Sequence, residues 1–278
     1  MTRTLALCAD DFGLDRATSA TIAELASAGR LQAVSCIVNL APWRDCAPLL
    51  AALPGGVARG LHFNLTEGAP LSAALGRTWT APPPLARLLG AAALGRLPHE
   101  AIEAELDAQW HAFVEASGAP PDFIDGHQHV HALRGVRAAV LRRARVAGVP
   151  VRSTGCVVGP GFTFKRRVIE AAGGRALARA LAAQGTPHNA ALVGVYDFGA
   201  RDYRALMRGW LAALAARATD GVTLLFCHPG ATGEASAHDA IAAARRAEAA
   251  YLGSTAFAED LARAAVTTAW PWRRSSAG

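Results

Sequence analysis

Leu5-Ala6-Leu7-Cys8-Ala9-Asp10-Asp11-Phe12-Gly13 puts five apolar residues directly before two adjacent carboxylates and a glycine. A short apolar run bounded by a turn signal reads as a buried strand feeding a loop. The residues that follow repeat this alternation. Residues 15–29 carry helical periodicity, with Ile22, Leu25 and Ala26 on one face and Gly29 as a stop. Residues 34–40 read as a second strand, 43–53 as a helix ending before Pro54-Gly55-Gly56, and 57–64 as a third strand. Strands alternating with helices predict βαβ units, and hence a parallel sheet or barrel.

Further along, helices are predicted over 99–117, 134–147, 201–217 and most of 164–184. Strands are expected at 123–126, 149–152, 191–195, 222–227 and 265–269. Between residues 66 and 100 the pattern loosens around Pro82-Pro83-Pro84, as a lid or substrate loop would. No repeat or domain-breaking linker interrupts the chain, so residues 1–278 are read as one domain ending in a short Ser275-Ser276-Ala277-Gly278 tail. That length can bury a sizeable core, and a hydrophobic share of 52% excludes disorder.

The net charge of +6 raises nucleic acid as a partner. The basic residues are scattered, however, and the densest groups are only Arg142-Arg143, Lys165-Arg166-Arg167 and Arg273-Arg274. Such short groups read as solvated faces, so no nucleic acid is expected. Cys8, Cys36, Cys46, Cys156 and Cys227 are odd in number and lack CxxC spacing. They are expected to be small buried hydrophobes in a reducing compartment. The five apolar residues before Asp10 are too few for a signal peptide, and no run is long enough to span a membrane. Both points lead to the expectation of a cytoplasmic protein; self-association is left open.

Four polar clusters fall at the carboxyl ends of predicted strands: Asp10-Asp11, His62 with Asn64, residues 125–131, and His228. That edge is where parallel α/β folds build active sites. Asp11 or Asp15 would also suit the cap of the next helix. For Asp10 and Asp11 to act together the strand must break, and Phe12-Gly13 offers a break. Asp125-Gly126-His127-Gln128-His129-Val130-His131 puts three imidazoles and a carboxylate in one parity, on one side of an extended backbone. Imidazole and carboxylate together suit an open, catalytic divalent-metal site, with His62 available as the second imidazole. Cys227 and His228 diverge on a strand, which argues against a nucleophilic dyad. The chain carries no GxSxG, GxxxxGK or GxGxxG.

These residues resemble the YdjC/ChbG-like family of carbohydrate deacetylases, which includes hopanoid-associated deacetylases. The resemblance is carried by residues 9–13, by Gly60-Leu61-His62-Phe63-Asn64-Leu65-Thr66-Glu67-Gly68, by residues 125–131 and by Cys227-His228-Pro229-Gly230. Residues 193–198 match more weakly. The resemblance implies a distorted (β/α) TIM-like barrel that removes the N-acetyl group of an amino sugar with one divalent metal, magnesium or zinc. It implies Asp11, His62 and His127 as metal ligands, Asp10 as catalytic base and His228 as the candidate acid. Asn64, Asp125, His129 and His131 would orient ligands or touch the sugar. The expected partner is a small acetylated sugar, an oligosaccharide or a glycolipid. Two other readings stay open: another metal-dependent amidohydrolase or phosphoesterase, and a non-catalytic sugar-binding regulator on the same scaffold.

Overall fold

A computed structural model describes residues 3–199, 202–216, 221–231 and 239–272. The Arg273-Arg274 pair and the final four residues lie outside the described residues. β1 (Arg3–Phe12), β2 (Ala33–Cys36), β3 (Ala58–Phe63), β4 (Phe123–Gly126), β5 (Ala191–Val193) and β6 (Thr223–Cys227) form a parallel sheet in the order β4-β3-β2-β1-β6-β5. β7 (Val266–Thr268) pairs with the start of β1. Between them run α1 (Arg16–Ser27), α2 (Trp43–Ala51), α3 (Ala73–Thr78), α4 (Leu85–Ala93), α5 (His99–Ser117) and α6 (Arg137–Ala147). Then come α7 (Thr163–Ile169), α8 (Arg175–Gln184), α9 (Tyr203–Ala215), α10 (Ala242–Gly253) and α11 (Thr255–Arg263).

The strands read as unbroken apolar runs because both faces of the sheet are covered. One face packs on the helices through Leu5, Leu7, Ala9, Val34, Leu61 and Leu225. The other gathers Cys8, Ala33, Ala58, Phe123, Leu192, Leu224 and Phe226, with Trp270 and Trp272 against it. Gly60 is required by close approach: a Cβ there would lie 2.2 Å from the Phe123 ring. Four of the five cysteines are buried and Cys156 is half-buried; all are free.

The expected strand at 149–152 is reduced to a single bridge, Val151 to Ile124 of β4. Its hydrogen bonds are divided: the amide of Val151 donates to Pro187 O while that of Arg152 donates to Ile124 O, and Pro150 has no N–H to give. Six residues on, Val157 bridges Leu192 of β5. The segment thus touches both edges of a curled sheet, an α/β architecture consistent with a distorted (β/α) barrel. Seven strands are present among the described residues, and the two bridges of the 151–157 segment lie at the edge strands β4 and β5.

Where a loose stretch was expected over residues 66–100, two short helices, α3 and α4, stand before α5. The expected helix over 164–184 is interrupted by a π-turn at Glu170–Gly174, where Gly173 takes φ 149°. No helix among the described residues is long and apolar enough to cross a membrane.

Candidate active site

The carboxyl edge of the sheet opens into a cleft of about 790 Å³. Asp10, Asp11, His62, Glu67, His127, His129, His228 and Arg245 line it, so it gathers residues from four strand ends. Leu85 and Leu89 of α4, Phe164, Val168 and Ile169 of α7, and Phe198 supply apolar walls.

Asp10 and Asp11 reach the same cleft by a different route from the one expected. β1 continues to Phe12, but its register against β2 shifts between Ala9 and Phe12, and Asp11 adopts φ 66°. The bulge turns two sequence neighbours to one side, where a regular strand would oppose them. The helix cap belongs to Asp15, whose carboxylate accepts from the Thr18 amide at 2.8 Å. Asp11 is therefore left for the cleft.

His62 sits one position before the end of β3. Its Nδ1 lies 2.6 Å from Asp125 Oδ1, which also accepts from Ser35 Oγ at 2.5 Å. A carboxylate at Nδ1 fixes the proton there and leaves the Nε2 lone pair exposed. That nitrogen lies 3.6 Å from Asp11 and 4.0 Å from Asp10. Burial favours a neutral Asp125, yet the Arg152 guanidinium and His62 hold it well below the usual carboxylate range.

His127 lies 3.0 Å from Asp11 Oδ1 through Nδ1 and 3.2 Å from Glu67 Oε1 through Nε2. Burial opposes its protonation, but these two carboxylates push it up to about 10. Burial likewise works against the Asp11 carboxylate, and Arg245, at 2.7 Å, and His127 overcome it.

The alternation of histidines does not survive folding. His127–Ala132 winds into a 3₁₀ turn with Gln128 and His129 in the left-handed region, at φ 51° and 61°. His127 and His129 face the cleft, while His131 is fully buried and donates from Nε2 to Arg152 O at 2.9 Å. Burial depresses both His129 and His131, the latter to about 4. Asn64 does not line the cleft either: its Oδ1 caps the amides of Thr66 and Glu67, at 3.0 and 3.1 Å. Asp125 is buried behind His62.

His228 directly follows β6, its amide donating to Glu248 Oε2 at 2.5 Å and its ring edge-on to Phe198 and Phe226. Burial depresses the imidazole to about 4, so it is neutral near pH 7. Three residues went unassigned in the sequence. Arg152 binds both oxygens of Asp10, at 2.7 and 2.5 Å, and pairs with Asp125. Its place at the end of a predicted strand was the available signal. Arg245 lies within α10 and carries no such signal. Glu67 lies in the 60–68 segment that carries the family resemblance, which implies no role for it.

Asp11, His62 and His127 each offer one ligand atom, all within 4.8 Å of one another. Two imidazoles and a carboxylate, open on the cleft side, fit a divalent cation. Cys8, Asp10 and Asp125 are equally close, but the Arg152 guanidinium fills the space between them.

A family model described as YdjC-like protein matches residues 4–263. A chitooligosaccharide deacetylase of Proteus mirabilis is 36% identical over 163 residues, which cover 55% of this chain and 59% of that protein. A carbohydrate deacetylase of Homo sapiens is 35% identical over 151 residues, 52% of this chain and 46% of that one. The chain thus spans about 60% or less of the length of these relatives. An Enterococcus faecalis crystal structure, provisionally described as a cellobiose-phosphate cleavage protein, matches 97% of both chains with a TM-score of 0.74. At 18% identity that likeness concerns the fold.

Proposed function

The chain belongs to the YdjC-like protein family, and from that premise we propose that it is a hydrolase that removes the N-acetyl group from an acetylated amino sugar. The observation that carries this reading is the cleft itself. An imidazole with a free lone pair, a second imidazole and a carboxylate converge beside Asp10, whose carboxylate is held by a buried arginine. Relatives named chitooligosaccharide deacetylase and carbohydrate deacetylase support it.

Asp11, His62 and His127 would hold one divalent cation, zinc or magnesium, which when bound polarises a carbonyl and makes a water more acidic. The chain's own residues do the rest. Asp10, fixed by Arg152, takes a proton from the attacking water. His228, neutral in the free protein, takes up a proton from solvent as negative charge develops beside it and opposes the effect of burial, and hands that proton to the departing nitrogen. His129 borders the sugar, and the 66–100 region serves as a lid through α4. The apolar walls formed by Leu85, Leu89, Phe164, Val168 and Phe198 favour a glycolipid over a bare oligosaccharide.

The test is an acetate-release screen over N-acetylated oligosaccharides and glycolipids with several divalent metals, run beside a phosphatase assay. Acetate release that depends on added metal is expected; phosphatase activity alone would replace this reading with phosphoester hydrolysis. Asp10→Asn, nearly isosteric but unable to accept the proton, should keep the fold and lose on the order of 10²–10⁴-fold in turnover. Near-normal turnover would remove Asp10 as the base. His228→Gln should be crippled on an ordinary acetamide and largely rescued on an activated amide whose leaving group needs no proton. Equal losses on both would move His228 to substrate positioning.

A further inference from the structure

An imidazole that gives one nitrogen to a metal carries its proton on the other, and that proton needs an acceptor. His62 has one in Asp125. For His127, the nitrogen on the Asp11 side is Nδ1, at 3.0 Å, and the far nitrogen faces Glu67 Oε1 at 3.2 Å. The two imidazoles are therefore backed in the same way, each by a carboxylate beyond the ligand nitrogen.

Glu67 is not a chance surface neighbour. It lies on the loop after β3, where its backbone is fastened from several directions. The amide donates to Asn64 Oδ1 at 3.1 Å, and the carbonyl accepts from Asn39 Nδ2 and Asn64 Nδ2, both at 2.8 Å. Asn64 is itself held by Gln109, which accepts from its amide at 3.1 Å and donates to its carbonyl at 2.7 Å. The next residue, Gly68, takes φ 70°, and a Cβ there would lie 2.5 Å from Leu40. Two buried asparagines and a glutamine thus fix the Cα of Glu67 so that its side chain reaches His127.

We propose that Glu67 is a positioning residue that fixes the proton of His127 on Nε2 and presents Nδ1, beside Asp11, to a divalent cation. The proposal rests on the reading of Asp11, His62 and His127 as metal ligands. It gives Asn64 a purpose: that side chain builds the loop that carries Glu67.

The experiment uses the full chain stripped of metal and titrated with Zn²⁺ by calorimetry, comparing wild type, Glu67→Ala, Glu67→Gln and His127→Ala. Glu67→Ala should bind zinc roughly 10–100-fold more weakly, the effect typical of losing a ligand's hydrogen-bond partner. Glu67→Gln, whose amide oxygen still accepts from Nε2–H, should lose less. Side-chain ¹⁵N correlation spectra of the zinc-loaded wild type should put the proton of His127 on Nε2. Zinc binding by Glu67→Ala at wild-type affinity, with His127→Ala impaired, overturns the role of Glu67 and leaves the metal site standing. A spectrum with the proton on Nδ1 overturns it as well. If the wild type itself takes up no zinc, the metal-site reading falls, and this proposal with it. Should Glu67→Ala melt below the wild type without metal, the comparison is made with Glu67→Gln, where unchanged affinity and an unchanged spectrum, alongside full affinity in the Ala variant's folded fraction, overturn the proposal.

Discussion

At the scale of single residues, Glu248 is the buried carboxylate whose charge the fold opposes. Its two oxygens accept from Tyr196 Oη and the His228 amide, each at 2.5 Å, yet burial raises it to about 7. An unfolded chain ionises this group from near 4.5 upward, while the folded one keeps its proton to about 7. Between those values unfolding releases a proton, so stability falls as pH rises, by about 3 kcal/mol over the window. Glu248→Gln keeps both hydrogen bonds by donating to Tyr196 and accepting from His228, and it carries no charge. Urea unfolding should show the variant near wild-type stability at about pH 4.5 and clearly more stable at about pH 8. A gap that does not change with pH would show that the charge of Glu248 is not what the fold opposes. Residues of this kind explain what the sequence hides. Asp10, Asp11, His62, His127 and His228 are legible because each ends a recognisable apolar run with ligand or acid–base chemistry. Arg152 and Arg245 are not, because arginine is abundant in this chain and their carboxylates lie 142 and 234 positions away.

Among elements, β3 delivers His62 to the cleft only if β4 can lie against it with Phe123 across Gly60. A Cβ added at Gly60 would sit 2.2–2.5 Å from three atoms of that ring, which is itself packed against Trp270 at 4.8 Å between centroids. Gly60→Ala is expected to cost about 1–3 kcal/mol by overpacking. Adding Phe123→Leu should recover part of that loss in the same denaturation series, and a double variant no better than the sum of the singles would disprove the clash. The first three strands and α5 were readable because their periodicity and their Gly and Pro boundaries agree. The histidine segment was misread because alternation predicts an extended backbone. Gln128 and His129 instead take left-handed angles that alternation does not encode. The bulge in β1 was hidden likewise: Phe12-Gly13 signals a turn, yet the backbone departs from regular strand geometry at Asp11.

For the whole molecule, the curled sheet and the cleft meet in one side chain. Residues 151 and 157 bridge the two edge strands, and Arg152 points from that segment into the carboxyl edge. There it pairs with Asp10 from β1 and Asp125 from β4, with all three side chains almost wholly removed from solvent. Taking away one member of a buried ionic cluster leaves charge without a partner, at a typical cost of about 3–5 kcal/mol. Arg152→Met fills similar volume with apolar atoms and should cost about that much near neutral pH. The sign of its pH dependence follows from Asp125. In the wild type that carboxyl lies below its ordinary value, so its contribution is present at neutral pH and lost only as strong acid protonates it. Without Arg152, only His62 and Ser35 still oppose burial, and the expected balance raises the same carboxyl above its unfolded value. The folded variant then holds a proton that the unfolded chain releases, so its stability falls as pH rises through the ordinary carboxylate range. The deficit relative to wild type should therefore be smaller near about pH 4 and grow toward about pH 7.5. Adding Asp125→Asn to Arg152→Met should restore part of the neutral-pH loss. Urea midpoints across that range decide it: a constant deficit, unmoved by Asp125→Asn, would mean that Arg152 contributes packing alone and that the charge cluster does not tie the closing segment to the sheet.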